Sequence, residues 1–163
     1  MPRIVEHPEE HTAVIRLNIP RSEIRTVMGP AMRELYTSLK AQGISPMGSM
    51  FSYHFRMDPD MFDFEVGVPV AEPVEPNERV VPSSLPACTV ARTSYIGPYE
   101  GLSKAWTEFN AWIKAQGHEP AANMWEVYIA GPDSGSDPAL WRTELNRPLI
   151  ILASAPVPPR TQP

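Results

Sequence analysis

A seven-residue pattern occurs twice in this 163-residue chain, as "KAQGISP" at 40–46 and as "KAQGHEP" at 114–120. Five of the seven letters agree, and the numbering of the two copies differs by a constant offset of 114 − 40 = 74. Each copy follows apolar residues at helical spacing, and its glycine suits the left-handed residue that ends many helices. The same helix ending at a fixed offset indicates that a folding unit has been duplicated.

The duplication extends beyond the helix ends. "MFSYHF" begins at Met50 and "MWEVYIA" at Met124, which is the same offset of 124 − 50 = 74. "EVGVPV" at Glu65 resembles "ELNRPL" at Glu144, and the offset of 144 − 65 = 79 places five extra residues in the turn-forming stretch "GPDSGSDPAL". The β-rich runs "TAVIRL" and "ACTVARTSYI" precede the two helices. Both halves therefore have the predicted order strand–helix–strand–strand.

One βαββ half would leave its sheet face and the apolar stripe of its helix in water, so the two halves must cover each other. We expect an α+β fold in which tandem duplicated βαββ modules form an antiparallel sheet with two long helices on one face. The helices are predicted to begin at Gly29-Pro30 and at Gly97-Pro98, which makes the second helix the longer one. The acidic, proline-rich stretch at 71–86 is predicted to be the connection between the halves.

These boundaries predict a single domain over residues 1–153, with halves at about 1–75 and 84–153. The last stretch, 154–163, has little to bury and is predicted to be a flexible tail.

Composition excludes several classes of protein. A hydrophobic content of 42% and a charged content of 20% are typical of a globular domain, and no apolar run approaches the length of a membrane span. Without a secretory signal, the chain is expected to be cytoplasmic. The single cysteine, Cys88, and four scattered histidines predict no disulfide, no metal site and no cofactor. The net charge of −5 argues against direct binding of nucleic acid.

Two glutamates occupy corresponding positions in the last strand of each half, Glu65 and Glu144. If these strands run side by side, the carboxylates meet near the two-fold axis, where they either raise one pKa or attract a cation. In the alternative interpretation, each glutamate pairs with a nearby arginine such as Arg56 or Arg142.

A third glutamate, Glu126, lies in the run "MWEVYIA" and shares one strand face with Tyr128, because side chains alternate along a strand. Large apolar neighbours would give this carboxylate a dry environment. The alternative is an edge-strand glutamate that points into water.

Aromatic residues are expected on the elements that surround a crevice between the two helices. Rings beside a carboxylate suit flat cations, since each cation–π contact contributes roughly 0.5–2 kcal/mol. The alternative is that the rings only fill the core. The candidate wall residues are Tyr36, Phe51, Tyr53, Tyr99, Trp106, Phe109, Trp112, Trp125, Tyr128 and Trp141.

Three short stretches carry a resemblance to a known family: Gly97-Pro98-Tyr99, the pair Glu126-x-Tyr128, and Thr143-Glu144-Leu145 with Pro148. Together with the repeat, they make the chain resemble the GyrI-like small-molecule-binding domain over nearly its whole length. This family includes effector-binding domains of AraC- and MerR-type multidrug regulators. The resemblance implies a central aromatic pocket with a buried carboxylate that binds lipophilic, often cationic, xenobiotics. It matches Glu144 to the family's strand glutamate, with Glu65 as the counterpart.

Three functions follow as hypotheses. The first is polyspecific binding and sequestration of aromatic or cationic molecules, with Glu144 as the anchoring charge and Tyr128 and Trp106 as walls. The second is hydrolysis of cyclopropane-containing xenobiotics, as some stand-alone members of the family perform, in which Glu144 or Glu126 positions or deprotonates water. The third is modulation of a protein partner such as a DNA topoisomerase. Because we expect neither nucleic-acid nor membrane binding, a role in transcription would need a partner that reads DNA.

Overall fold

The structure is a computed structural model that describes residues 1–56, 59–130 and 137–150. The predicted flexible tail at 154–163 lies outside the described residues, as does most of the predicted loop "GPDSGSDPAL". The elements of the described residues are β1 (Arg3–His7), β2 (Glu10–Pro20), α1 (Ile24–Ala41), β3 (Phe51–His54), β4 (Met61–Pro69), β5 (Val80–Leu85), β6 (Cys88–Ile96), α2 (Leu102–Ala115), β7 (Glu119–Pro120), β8 (Met124–Ala130) and β9 (Arg142–Ile150).

The strands form an antiparallel sheet in the order β1-β6-β9-β8-β3-β4-β2-β5, and the short β7 pairs with β9. The first half contributes the block β3-β4-β2 and the second half the block β6-β9-β8, so the two halves join at the pair β3–β8. The predicted α+β fold of tandem βαββ modules is confirmed.

One additional strand precedes the βαββ unit of each half, β1 in the first half and β5 in the second, and each of these strands pairs with the other half. β1 pairs with β6, and β5 pairs with β2, although β1 leads directly into β2 and β5 directly into β6. A flat sheet of eight strands would hold its two edges about 34 Å apart, at roughly 4.8 Å between neighbours. Val5 of β1 and Leu85 of β5 nevertheless pack in one apolar cluster. The sheet therefore curls so that its two edges approach each other.

The strand β5 corrects one prediction. The stretch 71–86 was expected to be only a connection, but residues 80–85 form a strand whose end residues, Val80 and Leu85, are buried. The sequence did not indicate this strand because Pro82 and the two serines that follow it are more typical of turns. Proline is tolerated there because β5 is an edge strand, on which half of the N–H groups need no partner in the sheet.

The helix starts also differ from the predictions. α1 begins at Ile24, and Pro30 lies inside it. Val27 and Met28 pack against the core beneath α1, so burial of this extra turn outweighs the hydrogen bond that the proline cannot donate. As a result α1 has 18 residues and α2 has 14, which is the reverse of the predicted lengths. In the second half, a 3₁₀ turn at Tyr99–Gly101 occupies the place of the first helical turn.

The helix ends match the repeat. Gly43 and Gly117 have φ angles of 70° and 82°, in the left-handed region where glycine carries no steric cost. The amide of Ile44 donates to the carbonyl of Leu39 at 2.9 Å, and the corresponding residues of the second half, His118 and Ile113, make the same bond at 3.2 Å. The duplicated "KAQG" therefore marks the same helix ending in both halves.

Both helices cover one side of the sheet, which we call the helix face. One apolar cluster joins Leu35 of α1 to Val66 of β4, and a second joins Phe109 of α2 to Leu145 of β9. We call the other side the back face. Its buried apolar cluster consists of Val14, Phe51, Leu85, Val90 and Trp125. Within the described part of the chain, neither helix is long and apolar enough to cross a membrane.

Candidate functional site

The approximate two-fold axis passes between Ser52 and Glu126. These residues are direct partners in the β3–β8 pair, and the difference in their numbers, 126 − 52 = 74, is the offset of the repeat. They are therefore corresponding residues of the two halves that face each other. Two positions further along the strands, His54 and Tyr128 are related by the same offset, 128 − 54 = 74. The centre of the helix face thus holds four polar groups.

Glu126 supplies the carboxyl group of this cluster, and only 8% of its surface is exposed. Its Oε2 accepts a hydrogen bond from the indole Nε1–H of Trp106 at 2.6 Å, and its Oε1 accepts one from the hydroxyl of Tyr128 at 2.8 Å. Burial raises the pKa of Glu126, and the two donated hydrogen bonds oppose this shift. The alternative of a glutamate that points into water is wrong.

Ser52 and His54 extend this network. The hydroxyl of Ser52 lies 2.7 Å from that of Tyr128 and 3.2 Å from Nε2 of His54. The imidazole stacks on Phe64, with ring centroids 4.9 Å apart. Burial, with a smaller contribution from the charge of Arg21, lowers the pKa of His54 to about 4. Nδ1 of His54 has no hydrogen-bond partner among the described residues.

Aromatic rings lie on both sides of the carboxylate. Tyr128 contacts Tyr99 at 5.8 Å between centroids, and Tyr99 contacts Trp141 at 4.9 Å. On the other side, Trp106 contacts Phe109 at 5.8 Å. A buried anion between ring systems can accommodate an organic cation, because ring faces and the carboxylate both attract positive charge.

The structure therefore joins three of the predicted site residues directly, Glu126, Tyr128 and Trp106, and a fourth, Trp141, through Tyr99. A further predicted residue, Tyr36, lies on α1 with 38% of its surface exposed.

The remaining predicted residues lie on the back face: Glu65, Glu144, Phe51, Tyr53 and Trp125. The expectation that Glu65 and Glu144 meet at the axis is wrong, because β8 and β3 lie between β9 and β4. The central strands are β3 in the first half and β8 in the second, and the last strand of each half, β4 or β9, lies one place further out. Side-chain alternation then directs Glu126 to the helix face and Trp125 to the back face.

On the back face, Glu144 is partnered within the sheet. Its Oε1 lies 3.5 Å from Nε of Arg92 and accepts a hydrogen bond from Asn146 at 3.2 Å. Pairing with an arginine was the alternative interpretation of Glu144, and the structure shows such a pair. The partner is Arg92 and not Arg142, because Arg142 donates a hydrogen bond to Ser94.

Glu65 is partly buried near the other edge of the sheet. It accepts a hydrogen bond from Ser83 at 3.4 Å, and burial raises its pKa while the charge of Arg16 opposes the shift. The arginine expected to pair with it, Arg56, lies 4.0 Å from Asp63 instead.

A back-face crevice of about 320 Å³ holds three of the predicted residues. The lining includes His7 and Glu10, which are 3.0 Å apart, together with the pair formed by Arg92 and Glu144. Its apolar lining includes Phe51, Leu85, Trp125 and Val127. A ligand-binding role for Glu144, Phe51 or Trp125 on this face stays a prediction.

Sequence reasoning missed Ser52 and His54. The repeat itself could have identified them, because it places Ser52 at the position of Glu126 and His54 at the position of Tyr128. The contact between Trp106 and Glu126 has no comparable signal. Among residues 1–56, 59–130 and 137–150, no three acidic, histidine or cysteine side chains are grouped to hold a metal ion.

Known structures share this fold. The C-terminal domain of EcmrR superposes with a TM-score of 0.81 at 22% identity, covering 92% of this chain and 97% of that one. In the EcmrR–DNA complex the TM-score is 0.80 at 22% identity, and the match covers 91% of this chain but only 57% of the EcmrR chain.

Two more distant structures are similar over most of their length. A hydrolase from Listeria innocua has a TM-score of 0.64 at 13% identity, covering 91% of each chain. SAV2435, solved bound to tetraphenylphosphonium, has a TM-score of 0.62 at 10% identity, covering 95% of this chain and 97% of that one. Likeness at these identities shows a common fold.

No curated protein matches the chain in sequence. The sequence profile of the GyrI-like small molecule binding domain matches residues 1–149, which include every strand and helix described above except the last residue of β9. The chain therefore belongs to the GyrI-like small molecule binding domain family.

Proposed function

We propose that this chain binds lipophilic organic cations on the helix face, with Glu126 as the anion that anchors them. The observation that carries the proposal is a buried carboxylate whose partners among the described residues are neutral donors, Trp106 and Tyr128. A buried anion is stable in its ionised form when it is paired with a positive charge. An organic cation would supply that charge.

The surrounding rings support the same class of ligand. Tyr99, Tyr128 and Trp141 form a continuous aromatic contact beside the carboxylate, and Met28 and Met32 of α1 pack against the adjacent cluster. Ring faces attract cations, and methionine side chains adapt to ligands of different shape. A site of this composition would accept several flat or bulky cations, which is the basis for the proposed polyspecific binding and sequestration of xenobiotics.

A ligand reaches this carboxylate only when a side chain moves, because Glu126 and Trp106 are both buried. Trp106 covers Oε2 through its indole N–H. We expect the ligand to displace this ring, so that the cation replaces the indole as the partner of Oε2. The structure of SAV2435 with tetraphenylphosphonium supports the choice of a bulky aromatic cation as the first probe.

The test compares tetraphenylphosphonium with triphenylphosphine oxide, a neutral molecule that also carries phenyl rings on phosphorus. Isothermal titration should show that Glu126→Gln weakens binding of the cation about 30-fold, equivalent to about 2 kcal/mol, and leaves the neutral compound unaffected. Glu144→Gln is the matched control on the back face and should change neither affinity. Unchanged affinity of Glu126→Gln for the cation would remove Glu126 as the anchor.

Hydrolysis is the second candidate, favoured by the hydroxyl of Tyr128 at 2.8 Å from a carboxylate of raised pKa. In an activated cyclopropane, water oxygen would bond to one ring carbon as a ring C–C bond breaks. The bonding electrons would move into a conjugated carbonyl, and the proton from water would reach that oxygen by way of Glu126. The structural neighbour from Listeria innocua is described as a hydrolase.

Mass spectrometry after incubation with a cyclopropane-bearing alkylator tests this candidate. Wild-type protein should yield a product heavier by one water, and Glu126→Gln should yield none above buffer. Product formation equal to that in buffer for wild type would exclude hydrolysis of that compound. The cytoplasmic location and a protein partner stay predictions.

A further inference from the structure

The four polar groups at the axis form a chain in which the position of each hydrogen follows by elimination. The hydroxyl of Tyr128 donates to Glu126, so its oxygen can only accept from Ser52. The single hydrogen of Ser52 is thereby used, and its oxygen accepts from Nε2 of His54. His54 must then carry its hydrogen on Nε2, with Nδ1 as a bare lone pair. This assignment agrees with the absence of a partner for Nδ1 within the described residues.

Protonation of Glu126 breaks this order. A proton on Oε2 faces the N–H of Trp106, which is itself a donor. A proton on Oε1 reverses the chain through Tyr128 and Ser52 and moves the hydrogen of His54 to Nδ1. Buried N–H groups without an acceptor are rarer in proteins than unfilled lone pairs. Either protonated form therefore leaves a hydrogen without an acceptor, whereas the ionised form leaves only a lone pair unfilled.

We infer that Ser52 and His54 are positioning residues which hold Glu126 in its ionised form and thereby make the site select cations over neutral ligands of similar shape. The selectivity for ligands rests on the proposed function. The direction of the hydrogen-bond chain rests only on the geometry of the unliganded protein.

The residues around His54, at the end of the hydrogen-bond chain opposite Glu126, keep its imidazole neutral. His54 packs between Phe64, stacked at 4.9 Å, and Phe62, in edge contact at 5.2 Å. Burial and the charge of Arg21 disfavour the protonated imidazole. Near Glu126 the titratable group is Tyr128, whose pKa is raised well above its usual value by burial and by the carboxylate, so it keeps its proton. Tyr128 and His54 are then neutral, and Glu126 is the group of this chain that carries the charge in its ionised form.

The first test reads the tautomer of His54 in the ligand-free wild-type protein. Two-bond ¹H–¹⁵N correlation spectra at pH 7 should show the hydrogen of His54 on Nε2. The exposed ring of His118 serves as an internal reference. A hydrogen on Nδ1 would overturn the inference, since Ser52 would then donate to Nε2 of His54 and could not donate to Tyr128.

The second test interrupts the chain with Ser52→Ala. The ¹³C-detected titration midpoint of Glu126 should rise, and affinity for tetraphenylphosphonium at pH 7 should fall roughly five-fold, with no change for triphenylphosphine oxide. Ser52→Thr, which keeps the hydroxyl, should restore both values. Ser83→Ala, beside Glu65 on the back face, is the matched control. An unchanged midpoint for Glu126, or equal loss of both ligands, would overturn the inference.

The two proposals fail in different ways. If Glu126→Gln binds tetraphenylphosphonium like wild type, the proposed function is lost, but the tautomer of His54 and the titration of Glu126 still report on the chain. If Glu126→Gln abolishes cation binding while Ser52→Ala leaves the midpoint of Glu126 unchanged, only the positioning role is lost.

Discussion

Ser52 and Glu126 occupy the same position in two copies of one folding unit, and they face each other across the central strand pair. Two carboxylates at these directly paired positions would oppose each other's ionisation, and one would be held protonated. With serine on one side, the axis carries one carboxyl group and one hydroxyl that joins its hydrogen-bond network. This departure from symmetry is what the proposed binding of a single positive charge requires.

Trp106 is predicted to control the ionisation of Glu126. Trp106→Phe removes the N–H that donates to Oε2 at 2.6 Å, so the carboxylate loses one of its two donors and the pKa of Glu126 should rise further. A ¹³C-detected titration of the glutamate carboxyl groups measures this shift. Trp112→Phe, on the same helix and stacked on Phe109, is the matched control and should leave the midpoint in place. Equal midpoints in Trp106→Phe and wild type would contradict the prediction.

His54 is predicted to make the protein less stable in acid. Its pKa is about 4 in the folded state and 6.5 in the unfolded chain, so between these values only the unfolded state takes up the proton. The free energy of unfolding should therefore fall as pH is lowered from 6.5 to 4, by on the order of 3 kcal/mol from this residue. Glu126 acts in the opposite direction, because its raised pKa gives the folded state the proton first.

Urea denaturation at pH 7 and pH 4.5 separates the two effects. His54→Phe keeps the aromatic packing and should lose much less stability than wild type between these pH values. His118→Gln, at an exposed site, should behave like wild type. The same pH dependence in His54→Phe and wild type would show that the imidazole does not resist protonation.

Gly67 is predicted to be required for the packing of the back face. A Cβ atom there would lie 2.5 Å from the carbonyl oxygen of Ala13 and 3.1 Å from the ring of Phe51. Because a backbone atom blocks the space, Gly67→Ala should lower the free energy of unfolding by about 1–3 kcal/mol. Gly29→Ala in α1 meets only the end of Arg33 at 3.5 Å and should raise stability by roughly 0.5–1 kcal/mol. Thermal denaturation of the two variants should shift in opposite directions.

The edge strand β5 is predicted to contribute to the core. Leu85 is 3% exposed and packs in the back-face cluster, so Leu85→Ala should cost about 2–4 kcal/mol of unfolding free energy. Leu140 is 66% exposed, and Leu140→Ala should change stability by less than about 0.5 kcal/mol. A loss in Leu85→Ala no larger than in Leu140→Ala would mean that β5 is only loosely attached.

Local patterns predicted most of the fold. Helical spacing, alternation and the repeated "KAQG" identified both helices and the six strands of the two βαββ units, because these signals depend on residues close in sequence. The central position of β3 and β8 depends on which strands pair over long distances, and nothing local specifies it. That choice placed Ser52 and Glu126 at the axis and Glu65 and Glu144 away from it.

The site was only partly predictable, because some of its contacts depend on residues close in sequence and others on long-range packing. Alternation along one strand places Glu126 and Tyr128 on one face, which the sequence shows directly. The hydrogen bond from Trp106 joins a helix to a strand 20 residues away, and its geometry depends on how the helix packs. His54 gave no signal of its own, since a lone histidine in a strand is compatible with many roles.

The exchange of first strands between the halves has a consequence for how the protein unfolds. Neither half forms its part of the sheet alone, since β1 pairs with β6 of the second half and β5 pairs with β2 of the first. Loss of either half removes an edge from the other, so the two are expected to melt together in one cooperative transition.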